Sequence, residues 1–258
     1  MKILIVVPCY NESERLRQED FVQFVERHED IEFLFANDGS RDNTLEVLQQ
    51  LCTRHPHLHL LDIQPNGGKA EAVRKGMLYG AKTPIMDGGI KPDYIAFWDA
   101  DLATPLFEIP RMAEWMAGQA LDANSPHTYD IVMGTRLLRL GAKVKRKKMR
   151  HYLGRCFATC VSIMLNLPVY DSQCGAKMFT TEVVRNIFQE SFSTRWLFDV
   201  ELLARYQQRY GHKNACEQIY EFPLFQWIDI DGSKLKSRDF FKAPIELLRI
   251  KRRYKFNK

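Results

Sequence analysis

The chain has 258 residues, 45% hydrophobic and 27% charged; it is long enough to bury a sizeable core and too ordinary in composition for a disordered or fibrous protein. Its net charge of +5 is unevenly laid out: residues 131–170 carry nine Lys or Arg and no acid, and the stretch from Lys234 onward carries ten against Asp239 and Glu246. An acidic body with two basic segments points to a polyanion met at a defined face, unless the runs are solvated surface.

In chain order, Ile3–Val7 is a short apolar β-rich run that ends in Pro8-Cys9-Tyr10-Asn11-Glu12. Helical spacing follows at Phe21, Val22, Phe24 and Val25. A second run, Ile31–Ala36, ends in Asn37-Asp38-Gly39-Ser40 and is followed by Leu45, Val47, Leu48 and Leu51 at helical spacing. The third, Leu58–Ile63, ends in Asn66-Gly67-Gly68-Lys69, before a helical Ala72, Val73, Gly76 and Met77. The fourth, Tyr94–Trp98, ends in Asp99-Ala100-Asp101 before Met112, Trp115 and Met116; the fifth, Asp130–Met133, ends in Gly134-Thr135-Arg136. This alternation predicts an α/β fold, a mostly parallel central sheet flanked by helices. Ligands on such sheets bind beyond the carboxyl ends of the strands. One such loop is ordinary turn chemistry; five at one sheet edge mark a site.

Asp99 and Asp101 offer hard oxygen ligands to Mg²⁺ or Mn²⁺, with positions left for phosphate oxygens; the competing reading is a cap before the next helix. Lys69 adds a cation beside Gly67 and Gly68, which let backbone approach a phosphate. Neither a P-loop nor GxGxxG is present, which disfavours a triphosphatase or a dinucleotide dehydrogenase.

These motifs resemble the successive signatures of family 2 glycosyltransferases with the GT-A fold. Asp171-Ser172-Gln173-Cys174-Gly175-Ala176-Lys177, Arg195-Trp196-Leu197-Phe198-Asp199-Val200-Glu201 and Gly232-Ser233-Lys234-Leu235 are similar to polyprenyl-phosphate hexose synthases. Asp99 to Pro105 looks most like the dolichyl-phosphate β-glucosyltransferases. The resemblance implies an inverting transfer of a hexose, glucose from UDP-glucose, onto dolichyl or undecaprenyl phosphate. It implies that Asp38 accepts from the imide N–H of the base, that Pro8, Tyr10 and Glu12 line the base and ribose pocket, and that Lys69 lies near the nucleotide. Asp99 and Asp101 bracket the diphosphate and hold the metal, Arg136 and Arg150 meet the acceptor phosphate, and Ser233 and Lys234 close over the donor. Ala103 stands where mannosyl-transferring relatives often carry a Gln metal contact, which weakens mannose as the sugar. Asp199 and Glu201 either orient sugar hydroxyls or cap their helix.

A phosphate monoester has a second pKa near ~6, so such an acceptor is already a nucleophile at neutral pH and needs cationic positioning rather than a base. The transferase domain is expected over residues 1–235, with 136–170 as an acceptor- and membrane-facing segment and 236–258 as a basic amphipathic tail. Tyr152–Leu167 and Phe240–Phe256 read either as interfacial elements on an anionic membrane or as helices packed on the domain. No secretory signal is legible, because Lys2 is followed by only Ile3 to Val7 before Pro8. A cytoplasmic protein, peripheral at the membrane, with reduced cysteines is expected. Cys156 and Cys160 read as core packing, and His55, His57 and His59 as a solvated loop. Two rivals are a nucleotidyltransferase, which lacks its early Gly-rich loop here, and a nucleic-acid binder. Nucleic acid is not an expected partner, because it leaves Asp38, Asp99 and Asp101 without a role.

Overall fold

The computed structural model describes residues 1–118, 127–145, 148–230 and 237–254, with backbone only for residues 148, 150 and 237–241. The elements run β1 (Ile3–Cys9), α1 (Gln18–Val25), β2 (Ile31–Asp38), α2 (Thr44–Arg54), β3 (Leu58–Ile63), α3 (Lys69–Lys82), β4 (Tyr94–Trp98), α4 (Glu108–Met116) and β5 (Ile131–Thr135). They continue as β6 (Lys143–Lys145), α5 (Lys148–Leu165), β7 (Ala176–Thr180), α6 (Thr181–Ile187), α7 (Phe198–Tyr210), α8 (His212–Gln218), β8 (Ile219–Pro223), β9 (Gln226–Ile228) and α9 (Ser237–Arg253). The chain divides into two compact units, Met1–Leu102 with Ala176–Ser191, and Ala103–Gly175 with Phe192–Lys258.

In the first unit the strands lie in the order β3-β2-β1-β4-β7. The first four are parallel, with Val7 beside Phe35 and Val6 beside Phe97, and β7 runs antiparallel to β4. Ile3–Val7 is buried throughout, as a strand covered on both faces requires. Phe21 of α1 sets its ring edge-on to Phe33 and Phe35, 5.2 and 5.1 Å between centroids. Helix α3 approaches β1 closely at two glycines: a Cβ at Gly76 would lie 2.4 Å from Val6 Cγ1, and one at Gly80 2.4 Å from Leu4 Cδ2.

At the amino end of β2 the fully buried Glu32 accepts from His59 Nε2 at 2.5 Å and from the Asp87 N–H at 2.7 Å, with His57 Nδ1 at 3.5 Å. Burial pushes this carboxyl up, but the His59 and Asp87 hydrogen bonds prevail and hold it below its ordinary value. His57 and His59 are therefore not solvated loop residues: they are half-buried partners of an acid 25 and 27 positions upstream, a pairing set by the parallel register of β2 and β3.

In the second unit β5 pairs with β8 and β6 with β9, both in parallel. Glu108 of α4, also fully buried, accepts the N–H groups of Phe225 and Gln226 at 2.7 and 2.9 Å, so one carboxylate fixes the β8–β9 turn. Helix α5 buries Ala158, Val161 and Leu165, while Met149, Tyr152, Leu153, Cys156, Cys160 and Ile163 form an exposed stripe along it. Cys156 and Cys160 are thus exposed rather than core residues; their spacing places them on one helix face, and that face is the outward one. Helix α9 lays Ala243 and Ile250 inward. Among the described residues, no helix is long and apolar enough to cross a membrane.

Candidate active site

The carboxyl ends of β1 to β4 carry the polar loops of the first unit. Two of these loops are interlocked. Glu12 N–H donates to Thr44 Oγ1 at 2.8 Å, Asn11 N–H to Ser40 Oγ at 3.1 Å, and Arg41 N–H to Asn11 Oδ1 at 2.9 Å. Asn11 itself takes φ of 50°, in the left-handed region that few side chains accept. Asp42 fastens the same corner, accepting from Ser13 Oγ at 2.7 Å and from the Thr44 hydroxyl and N–H. Between these anchors Pro8 and Tyr10 are half-buried and Glu12 is buried.

Asp38, the residue that the resemblance places at the base, is tied to the loop after β3. It is 1% exposed, and its carboxylate receives the N–H groups of Gly67 and Gly68 at 2.8 and 2.7 Å and the Asn66 amide at 2.9 Å. The Asn66 amide also donates to the Asp38 carbonyl at 2.6 Å. Asp38 therefore holds the 66–68 loop in shape. Gly39 permits this: at φ of 58° it packs so closely that a Cβ would lie 2.7 Å from Asn66 N. The loop so shaped delivers Lys69, the first residue of α3, to an ion pair with Asp99 Oδ1.

Asp99 and Asp101 are both partly exposed just beyond β4. Neither caps α4, whose N-cap is Phe107. Their oxygens are the donor type that Mg²⁺ and Mn²⁺ prefer. No cluster of three or more His, Cys, Asp or Glu suited to a metal exists among the described residues. Two carboxylates alone would leave such an ion to be completed by ligand oxygens and water, the usual arrangement for Mg²⁺ beside phosphates.

The remaining expected residues lie in the second unit. The Arg136 guanidinium grips Asp171 with two bonds of 2.7 Å, its N–H reaches the same carboxylate at 3.1 Å, and it lies over the Trp227 ring. Asp171 is placed in turn by Glu221, whose two oxygens accept the Tyr170 and Asp171 N–H groups at 2.7 Å each. Burial, and then the neighbouring Asp171 charge, hold Glu221 above its ordinary value against the pull of those N–H groups. Asp199 is buried in the first turn of α7. Glu201, which shares that turn, is fully buried and does not cap the helix, whose N-cap is Leu197. It accepts from Ser193 and Thr194, from Arg205 at 3.0 Å and from the Tyr254 hydroxyl at 2.7 Å, joining α7 to α9. Arg150 lies in α5 but its side chain, like all of Ser233 and Lys234, lies outside the described residues.

Sequence reasoning missed the partners. Asp171 and Glu221 are 50 residues apart, and no local pattern joins them. Lys177, which enters the sequence reading only as the end of a motif, is 1% exposed with its ammonium 5.3 Å from the centre of the Phe97 ring, a placement the motif did not give.

A model of the family described as "Glycosyl transferase family 2" matches residues 4–188. A dolichyl-phosphate β-glucosyltransferase of Trichomonas vaginalis is 33% identical over 254 residues, covering 95% of this chain and 69% of the relative. One of Dictyostelium discoideum is 30% identical over 266 residues, covering 97% and 74%. The solved structure of glucosyl-3-phosphoglycerate synthase from Mycobacterium tuberculosis, in complex with Mn²⁺, UDP and glucosyl-3-phosphoglycerate, superposes with a TM-score of 0.63. It shares 16% identity, covering 96% of this chain and 79% of that one, which is a likeness of fold. The fold is of the GT-A type.

Proposed function

The chain belongs to glycosyl transferase family 2 and is a glycosyltransferase, and on that premise we propose that it moves glucose from UDP-glucose onto a polyprenyl phosphate, dolichyl phosphate first among them, with inversion. The observation that carries this reading is the Lys69–Asp99 pair beside Asp101, at the strand edge where Pro8, Tyr10 and Glu12 also gather. A phosphate oxygen of the acceptor attacks the anomeric carbon, a new C–O bond forms, and the electron pair of the breaking bond leaves on UDP. The dianionic acceptor supplies its own nucleophile, so the protein has no proton to remove.

Pro8, Tyr10 and Glu12 line the base and ribose, and Lys69 places its charge near the diphosphate. Asp101, with Asp99, would hold Mg²⁺ or Mn²⁺, which when bound neutralises charge on the departing diphosphate. Arg136 serves the acceptor phosphate by orientation more than by net charge, since Asp171 cancels its charge and fixes its plane. Asp199 orients sugar hydroxyls. Arg150, Ser233 and Lys234 keep the roles the resemblance gives them.

The lipid acceptor requires the protein to meet a bilayer. The outward stripe of α5 supports a peripheral association at an anionic, cytoplasmic membrane face, by apolar burial without a spanning helix. A panel of radiolabelled UDP- and GDP-sugars against dolichyl and undecaprenyl phosphate, with and without chelator, tests the whole reading. Glucosyl transfer from UDP-glucose, lost on chelation and regained with Mn²⁺ or Mg²⁺, is the expected result. Preference for GDP-mannose, or transfer only to non-lipid acceptors, overturns it.

A further inference from the structure

The turn before α7 and one face of α9 enclose a cleft of about 380 Å³ in the second unit, lined by Ser193, Arg195, Trp196, Lys242, Glu246 and Arg249 among others. Its walls are held by hydrogen bonds. Arg249 donates to the Ser193 carbonyl at 3.1 Å, Leu197 N–H donates to Glu246 at 3.2 Å, and Tyr254 anchors the far end of α9 on Glu201. Three cations face one carboxylate, and that carboxylate already serves a backbone N–H. Trp196 is also in the lining, so the cleft offers an anionic group several cations beside an aromatic wall.

The surroundings say what carries that anion. Ile245 and Leu248 are 62% and 54% exposed, and with Arg249 and Arg252 they line a second groove along the same helix. Exposed aliphatic side chains between cations suit an interface where acyl chains begin just below phosphates; a soluble polyanion would leave them in water. Arg and Lys together recognise a phosphate by a planar fork and a point charge.

We propose that this cleft binds the phosphate of an anionic lipid headgroup, with Ile245 and Leu248 entering the acyl boundary beside it. The proposal deepens the membrane part of the function given above and rests on it for the source of the phosphate.

The test uses the full chain with phosphatidylcholine vesicles containing phosphatidic acid, vesicles of phosphatidylcholine alone, and soluble glycerol 3-phosphate. Binding is read by sedimentation and by Trp fluorescence, with Trp196→Phe assigning the signal. Arg195→Gln with Lys242→Gln should weaken binding to the acidic vesicles about tenfold or more, with UDP-glucose affinity unchanged. Glu246→Gln should strengthen it, because the amide oxygen still accepts from Leu197 while the opposing charge is gone. Equal vesicle binding by the double variant and the wild type, or weaker binding by Glu246→Gln, removes the cleft and leaves the membrane reading standing. No vesicle binding by the wild type brings down both. Glycerol 3-phosphate bound as tightly as the vesicles, and lost in the same double variant, would make the ligand a soluble phosphate and overturn the headgroup assignment.

Discussion

The candidate active site is made of side chains with unequal freedom. Asp101 is partly exposed at a strand end, so Asp101→Ala should leave the fold intact while transfer in Mn²⁺ or Mg²⁺ falls more than about tenfold, roughly 1.4 kcal/mol of barrier. Turnover above that level, with an unchanged unfolding midpoint, would take the metal role from this residue. Asp38 is the opposite case, since its carboxylate is spent on three donors of the 66–68 loop. Asp38→Asn replaces one acceptor oxygen with a donor aimed at a donor, which costs about 1–3 kcal/mol at a buried site. Both the urea midpoint and the affinity for UDP-glucose should fall together, because the loop that presents Lys69 loosens. A variant that loses UDP affinity at full stability would favour direct contact of Asp38 with the base over this loop-shaping role.

At the scale of elements, α3 lies against β1 because Gly76 and Gly80 leave room for Val6 and Leu4. Gly76→Ala improves helix propensity by up to ~1 kcal/mol, yet its methyl would meet the stiff Val6 side chain at 2.4 Å. Overpacking of this kind costs about 1–3 kcal/mol, so the net change in chemical denaturation should be a loss. The start of α2 rests on Asp42. Burial raises this carboxyl, but the hydroxyls and N–H groups of Thr44 and Ser13 outweigh it and bring it from 3.8 to about 2. A carboxylate depressed in the folded state adds stability above its unfolded value and loses that contribution as pH falls through the folded one. Stability should therefore drop between about pH 4 and about pH 2, and Asp42→Asn should flatten that limb in denaturation curves.

These elements also show what was legible beforehand. The apolar runs of β1, β2 and β4 and the loops after them could be read directly, because a strand buried on both faces needs a continuous apolar run. The unions between distant segments could not: Arg136 with Asp171, Asp38 with Gly67 and Gly68, and Glu32 with His59 depend on which strands become neighbours. Helix α5 could be placed but not oriented, because an apolar stripe looks the same whether it faces a core or a bilayer.

For the whole molecule, the uneven charge of the sequence has a physical consequence. The exposed cations of α9 and the aliphatic stripe of α5 belong to the same unit. Sedimentation with anionic vesicles should fall steeply as salt shortens the screening length from ~10 Å at 0.1 M toward ~3 Å at 1 M. Affinity for UDP-glucose, which on the proposed reading rests on short-range contacts to residues of the first unit, should change far less. Equal salt sensitivity of the two would deny the membrane its electrostatic part.

The first unit is discontinuous: β7, which flanks β4, is encoded 78 residues after Trp98. At ~5–20 residues per second, a ribosome needs roughly 4–16 s to make the strand that covers this edge. Throughout that interval the β7 side of Ile95-Ala96-Phe97 has no partner strand yet synthesised. Unpaired edges of this kind recruit other chains, so aggregation of the nascent chain should compete with completion of β7. Slower translation would lengthen the exposure, and a holdase that shields β4 during those seconds would relieve it.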